Sequence, residues 1–332
     1  MRRCRLGRTG LLVSELATGL AFTAAQGEDV VDRGIRMALD SGVNYFDCAP
    51  YYSAGLDEQM LGNALRGVRD QVVLATKVGY TEYPDGHRSA AGLMRQLDES
   101  LQRLRTDHVD VVQIHEADFR KWWVEVPITA EEAMSPTAPL ISDDETYDFA
   151  GAPVVRFLED ARRAGKARFA GVTGKDARQI ARVVEALDVD TVMIAHQFNP
   201  VMRNAAEFLL PLTAQRDMGV LIAAPFMRGL LASPKYKWRA APPVWADDKF
   251  LHAYFACVDI AEREGISLAE LTIRWILGEQ RKHTIVFGFR AAEEVAANAQ
   301  AVALGPLPAA LQEEIDALGI VHPLVFQGRT TL

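Results

Sequence analysis

The chain has little of what marks a secreted, membrane or nucleic-acid-binding protein. Its 332 residues include three cysteines, Cys4, Cys48 and Cys257, an odd number set far apart with no CxxC pair. Neither a disulfide framework nor a zinc cluster is expected, and the thiols should be reduced. No run of about 18 apolar residues is present to cross a bilayer. The opening MRRCRLGRTG is basic but lacks the apolar stretch of a signal peptide, so a cytoplasmic location is expected and no membrane partner. An excess of basic residues is also missing: 36 Lys and Arg against 44 Asp and Glu give a net charge of −8, the wrong sign for a nucleic-acid surface. Seven histidines, with no HxH pair and no histidine–carboxylate cluster at a strand end, make a metal-dependent hydrolase or isomerase an unfavoured reading, and no metal site is expected.

What is present is a core and an alternation. With 49% hydrophobic residues the chain can bury a full interior. After a hairpin in the first dozen residues, short apolar runs near 15–21, 43–47, 71–76, 109–114, 168–172, 191–195, 219–223 and 283–287 read as strands. Helical periodicity falls between them at 28–41, 57–67, 90–104, 152–164, 176–187, 203–217, 268–280 and 291–302, and several of these segments stop at a glycine. Strands apolar on both sides suit a parallel sheet covered on both faces. Eight such units predict an α/β fold, a closed (β/α)8 TIM barrel, as one domain over residues 1–332. The rival open sheet would carry a G-x-G-x-x-G turn after its first strand, and the glycines after ELATGL do not follow that spacing.

Two long segments, 116–150 and 224–248, follow the fourth and seventh strands and are expected on the face where catalytic loops lie. The first carries nine acidic residues against two basic ones, so most of the chain's charge excess sits there. Its Trp122, Trp123 and Tyr147 among carboxylates suit a sugar-binding wall, aromatic faces against C–H groups, or equally a solvated charge run with tryptophans docked on the barrel. A strongly negative potential in this segment would disfavour anionic substrates.

In a barrel, the C-terminal ends of the strands converge on one pocket. Asp47 ends the second strand, Lys77 the third and His115 the fourth, with Tyr51 and Tyr52 just beyond the second. A phenol, with an ordinary pKa near 10, is a poor acid or base at neutral pH, and a neighbouring ammonium should lower it. Lys77 can supply that ammonium, Asp47 can hold it, and His115 can hydrogen-bond the reacting oxygen. Taken singly, each residue has an ordinary structural use; their joint placement at consecutive strand ends argues for proton transfer at a carbonyl or alcohol oxygen.

The stretches NYFDCAPYYSAGLDEQMLGNAL, LATKVG, DHVDVVQIHE and GKARFAGVTG resemble the aldo-keto reductases, and the resemblance runs from LGRTGLLVSELATGL to IVFGFRAAEEVAAN. It implies that Tyr52, five residues after Asp47, is the general acid/base, that Lys77 and Asp47 set its pKa, and that His115 orients the carbonyl. It also implies a nicotinamide cofactor in the barrel mouth, reached by Thr173 in place of the family's usual serine, by Gln197 and by Pro225. The positions Gly288, Arg290, Glu294 and Asn298 match the adenosine-side pattern G-x-R-x-x-x-[QE]-x-x-x-N. Arg290 there favours NADP through its 2′-phosphate, with NAD possible. Lys175 and Arg228 are further phosphate candidates. Three departures stand out: Gly174 where many members have asparagine, Ala223 where many have a stacking aromatic, which Phe198 could replace, and HQFNPVMR around Gln197. DEQMLGNALR, VDVVQIHEADF and GKARFAGVTG are most similar to the subgroup of aldose dehydrogenases for L-galactose or L-fucose-like sugars, with pyridoxal dehydrogenases nearby. The expected partner is a small carbonyl or sugar hemiacetal; the alternative is a nicotinamide-binding regulatory barrel with little turnover.

Overall fold

A computed structural model describes residues 1–80, 86–125 and 129–325. The hairpin expected at the N-terminus forms from β1 (Arg3–Arg5) and β2 (Leu12–Ser14), paired antiparallel. The barrel strands follow as β3 (Leu16–Gly19), β4 (Tyr45–Asp47), β5 (Val73–Val78), β6 (Val109–Ile114), β7 (Ala167–Gly174), β8 (Thr191–Ala195), β9 (Gly219–Ala223) and β10 (Thr284–Phe287). They close as β10-β3-β4-β5-β6-β7-β8-β9, all parallel, so each strand lies between its sequence neighbours and no edge is left exposed.

The helices are α1 (Glu28–Asp40), α2 (Leu56–Ala64), α3 (Ala90–Leu104), α4 (Ala130–Met134), α5 (Pro153–Arg163), α6 (Ala177–Ala186), α7 (Asn204–Phe208), α8 (Leu210–Gln215), α9 (Asp248–Glu264), α10 (Leu268–Leu277), α11 (Ala292–Ala303) and α12 (Ala309–Asp316). Several start on a side-chain cap: Ser89 accepts from the Gly92 amide, Asp176 from Arg178 and Gln179, and Ser267 from Glu270. The helix expected over 203–217 is broken into α7 and α8, because Pro211 has no amide to continue it. Within the 116–150 insertion a short helix, α4, forms, and residues 126–128 lie outside the described residues. Among the described residues no helix is long and apolar enough to cross a membrane.

Period-two alternation decides which side chains enter the barrel. Tyr45 and Asp47, then Val73, Ala75 and Lys77, then Val111 and Gln113 share the inward face, with Asp47 opposite Ala75 and Lys77 opposite Gln113 in register. The lower interior is a buried apolar cluster that includes Leu6, Leu11 and Val13 of the hairpin with Tyr45, Val111, Leu221 and Val286. The hairpin thus plugs the barrel from below. Arg5 fixes it with two hydrogen bonds to Asp217, at 2.7 and 2.8 Å, and Gly7 lies so close to Gly219 that a Cβ would come within 2.3 Å of the Gly219 amide. Apolar packing below and polar ends above put Asp47, Lys77 and Gln113 toward one mouth.

Candidate active site

The mouth holds a cavity of about 380 Å³ lined by Asp47, Tyr52, Lys77, His115, Thr173 and Gly288, among others. Its floor is the top of the interior core: Met193, Ala223 and Val286 belong to both. Lys77 and Asp47 are almost fully buried, and the ammonium bonds both carboxylate oxygens and, at 2.9 Å, the Cys48 carbonyl. Gln113 donates to Asp47 Oδ2 at 3.1 Å, and it has room because Gly171 stands beside it, where a Cβ would meet Gln113 Cγ at 3.2 Å and Thr191 Oγ1 at 2.3 Å. The Tyr52 hydroxyl lies 3.4 Å from His115 Nε2, and the Lys77 ammonium is 4.9 Å from the centre of the Tyr52 ring. Tyr51 stacks on Tyr80 with ring centres 4.2 Å apart, which leaves Tyr52 as the phenol over the ion pair.

The segment after β4 holds these groups still. Asp57 accepts from the amides of Phe22 at 3.1 Å and Ala24 at 2.7 Å and from the Ser53 hydroxyl at 2.8 Å, tying the first loop to the loop that carries Tyr52. Glu58 accepts from Thr76 Oγ1 at 2.5 Å and from Arg103 Nε at 2.7 Å, locking α2 against β5 beside Lys77. The insertion tryptophans act from behind. Trp122 donates to the His115 carbonyl at 3.1 Å and Trp123 to the Ala117 carbonyl at 2.7 Å, bracing the end of β6. Trp122 fits only because residue 79 is glycine, at φ 110°, where a Cβ would come within 2.5 Å of the indole. Both tryptophans are buried and Tyr147 bonds Glu145 at 2.7 Å; none of the three lines the cavity, so the docked-tryptophan alternative holds and the sugar wall does not.

Electrostatics differ from expectation at one point. Burial pushes the Tyr52 phenol up to about 12, and the opposing pull of Lys77 does not reverse it, because Asp47 has already neutralised much of that ammonium's field. The expected lowering is therefore outweighed, and the phenol keeps its proton at neutral pH. Burial opposes charge on Lys77 too, yet Asp47 and then Tyr52 carry it above its ordinary value. Burial, with Lys77 and Lys175 adding to it, holds His115 well below the usual imidazole range, so the ring facing Tyr52 is neutral.

The remaining sequence candidates divide. Thr173 and Gly288 line the cavity, and Thr173 Oγ1 accepts the Glu116 amide at 2.9 Å. Gln197 does not: it donates to the Leu324 carbonyl at 3.2 Å, and His196, turned by a left-handed φ of 67°, faces the cavity in its place. Phe198 packs on Trp275 with ring centres 5.0 Å apart and cannot stack in the mouth. Gly174 has a packing reason, since a Cβ there would lie 2.2 Å from Ile180 Cγ1 and 3.1 Å from the Asp118 carboxyl carbon. Pro225 sits buried in the turn after β9, outside the cavity lining, although its neighbour Ala224 belongs to that lining. Arg290, Glu294 and Asn298 lie beyond it around the start of α11; the Arg290 amide donates to Glu294 at 2.8 Å while its guanidinium is 75% exposed. Lys175 lines the cavity in an ion pair with Glu116, not as an unengaged phosphate ligand, and Arg228 lines it as well. Glu116, His196 and Gln113 were not singled out from sequence; only Gln113, a polar residue inside the apolar run VDVVQI, left a trace there.

A parallel barrel whose mouth sets a protonated phenol against a neutral imidazole, over a buried ammonium–carboxylate pair, is organised to exchange a proton with an oxygen atom. The aldo/keto reductase family model matches residues 16–320, and the chain belongs to that family of nicotinamide-using oxidoreductases. Among relatives, L-galactose dehydrogenase of Arabidopsis thaliana is 28% identical over 90% of this chain and 86% of its own length. D-threo-aldose 1-dehydrogenase of a Pseudomonas species is 26% identical over 92% and 94%, and pyridoxal 4-dehydrogenase of Microbacterium luteolum 25% identical over 88% and 90%. The holo form of an aldo-keto reductase from Bacillus halodurans superposes with a TM-score of 0.72 at 25% identity, covering 98% of each chain. The chain is an enzyme, an oxidoreductase.

Proposed function

We propose that the protein transfers a hydride between a nicotinamide cofactor, preferentially NADP, and the carbonyl carbon of an aldehyde or the hemiacetal carbon of a sugar, with Tyr52 as the general acid/base. The observation that carries this reading is the approach of the Tyr52 hydroxyl to His115 Nε2 at 3.4 Å, directly over the Lys77–Asp47 pair. A carbonyl oxygen between the two rings accepts from the phenol and from the neutral imidazole, and both donors become stronger partners as negative charge grows on that oxygen. Lys77 steadies the phenolate left behind, and Asp47 with Gln113 keeps Lys77 in place.

The mouth suits the cofactor. Thr173 Oγ1 accepts from a backbone amide, which leaves its own proton for a carboxamide, and Gly288 is open, since a Cβ there would meet nothing closer than the Gly19 carbonyl at 3.6 Å. A bound nicotinamide supplies or takes the hydride. Arg290 is exposed beside the start of α11, and its 3.9 Å contact with Glu294 is loose enough to yield to a 2′-phosphate. Relatives that act on L-galactose, D-threo-aldoses and pyridoxal support a hydroxylated aldehyde or aldose as substrate. No observation favours a regulatory barrel, for which an assembled proton-transfer set has no use.

Tyr52→Phe tests the assignment. Turnover should fall by about 10²- to 10⁴-fold, the usual contribution of a positioned acid, while NADPH affinity by fluorescence titration stays within about twofold. Undiminished kcat would refute the role of Tyr52.

A further inference from the structure

The Glu116–Lys175 pair stands at the cavity wall beside the proton-transfer set, and its lysine adds to the charge that His115 feels. Glu116 follows His115 at the end of β6, and Lys175 follows Gly174 at the end of β7. Their side chains are 9% and 12% exposed, and both line the cavity. The Glu116 backbone is left-handed, φ 55°, a conformation unfavourable for a residue with a Cβ. That turn is pinned by Thr173, whose hydroxyl accepts the Glu116 amide at 2.9 Å and whose carbonyl accepts the Ala117 amide at 2.7 Å. Lys175 is positioned as firmly, since Asp118 Oδ2 accepts the amides of Lys175 at 2.7 Å and Asp176 at 2.8 Å.

One oxygen of Glu116 holds the lysine, and the other, Oε2, is buried without a hydrogen-bond partner. A buried acceptor without a partner opposes folding, and a ligand hydroxyl would satisfy it. The ammonium has three donors; besides Glu116 it stands 5.5 Å from the Phe119 ring and acts on the Asp118 carboxyl and the His115 and His196 rings. Both side chains line the cavity, so a ligand settling against this wall meets a carboxylate with one unengaged oxygen beside an ammonium. Two neighbouring hydroxyl groups satisfy an acceptor and a set of donors at once without bringing charge to the wall.

We propose that Glu116 and Lys175 form a diol clamp: Oε2 accepts one substrate hydroxyl, and the Lys175 ammonium donates to the oxygen of the next. The clamp rests on the proposed oxidoreductase reading and gives it a substrate class, polyhydroxylated carbonyl compounds over plain aldehydes.

The ratio of kcat/KM for glyceraldehyde to that for propanal, measured with NADPH, isolates the contribution of the hydroxyl groups. It is expected to fall by about 10- to 100-fold in Glu116→Gln and by at least about tenfold in Lys175→Met, the range for losing a charged hydrogen-bond partner. Circular dichroism checks that each variant folds, and either folded variant suffices for the comparison. A ratio unchanged in the folded variants overturns the clamp. Calorimetric titration of the NADP-loaded protein with galactitol, which has no carbonyl to reduce, separates the two readings. Binding by the unmodified protein that both substitutions abolish supports the clamp even where no aldehyde is turned over. Aldehyde turnover with galactitol affinity indifferent to both substitutions overturns the clamp and leaves the oxidoreductase reading standing.

Discussion

Replacing Lys77 with methionine asks whether the buried pair serves the fold, the chemistry or both. The ammonium contacts both Asp47 oxygens and the Cys48 carbonyl, and the two side chains are 2% and 4% exposed. Methionine leaves Asp47 as a buried carboxylate with Gln113 as its remaining partner at 3.1 Å, a loss of about 3–5 kcal/mol. Asp47→Asn alone strands the ammonium and should cost a similar amount. The double variant removes both charges and is expected to be less destabilised than either single one, by about 1–2 kcal/mol relative to the unmodified protein, a strongly non-additive cycle. Turnover should not follow stability. The ammonium, 4.9 Å from the Tyr52 ring centre, favours phenolate by at most about 3 kcal/mol at an effective dielectric of about 20, less the part that Asp47 offsets. The two variants that lack it, Lys77→Met and the double variant, should therefore stay at least about tenfold slow. Urea unfolding gives the cycle and single-turnover hydride transfer gives the rate. Additive stabilities, or recovered turnover in the double variant, would refute the reasoning.

Two further expectations concern pH and cofactor choice. With His115 neutral and the Tyr52 phenol at about 12, reduction should be flat across the neutral range and decline only at strongly alkaline pH, while oxidation, which needs the phenol's proton removed, should climb through the same range. A step in the reduction profile between about pH 6 and 7 that disappears in His115→Asn would show that His115 titrates in the working range. Arg290→Ala should weaken NADPH by about 10- to 100-fold and NADH by much less, read by fluorescence titration; equal losses would remove Arg290 from 2′-phosphate recognition.

The strands and the clustering of Asp47, Tyr52, Lys77 and His115 were legible because both depend on short-range pattern. Apolar runs ending in Asp47, Lys77 and His115 locate strand ends to within a few residues, and barrel topology converts strand ends into neighbours. Other features depend on quantities that residue order does not carry. Whether His196 or Gln197 faces the mouth turns on one left-handed backbone angle just past β8. The direction of the Tyr52 shift turns on burial against an ammonium already engaged by Asp47. Trp122 and Trp123 look alike in sequence whether they face a ligand or a strand, and only the indole bonds to the His115 and Ala117 carbonyls distinguish the cases. The Glu116–Lys175 pair joins residues 59 positions apart through the neighbouring ends of β6 and β7.

The hairpin beneath the barrel has a kinetic consequence. With Leu6, Leu11 and Val13 seated among the interior side chains, the barrel of the described residues is closed below and open at the mouth above Met193 and Val286. Two guests that share a single doorway cannot come and go independently: the one lodged deeper has to arrive first and depart last. A steady-state pattern of compulsory order is what a bottle imposes and a tunnel would not.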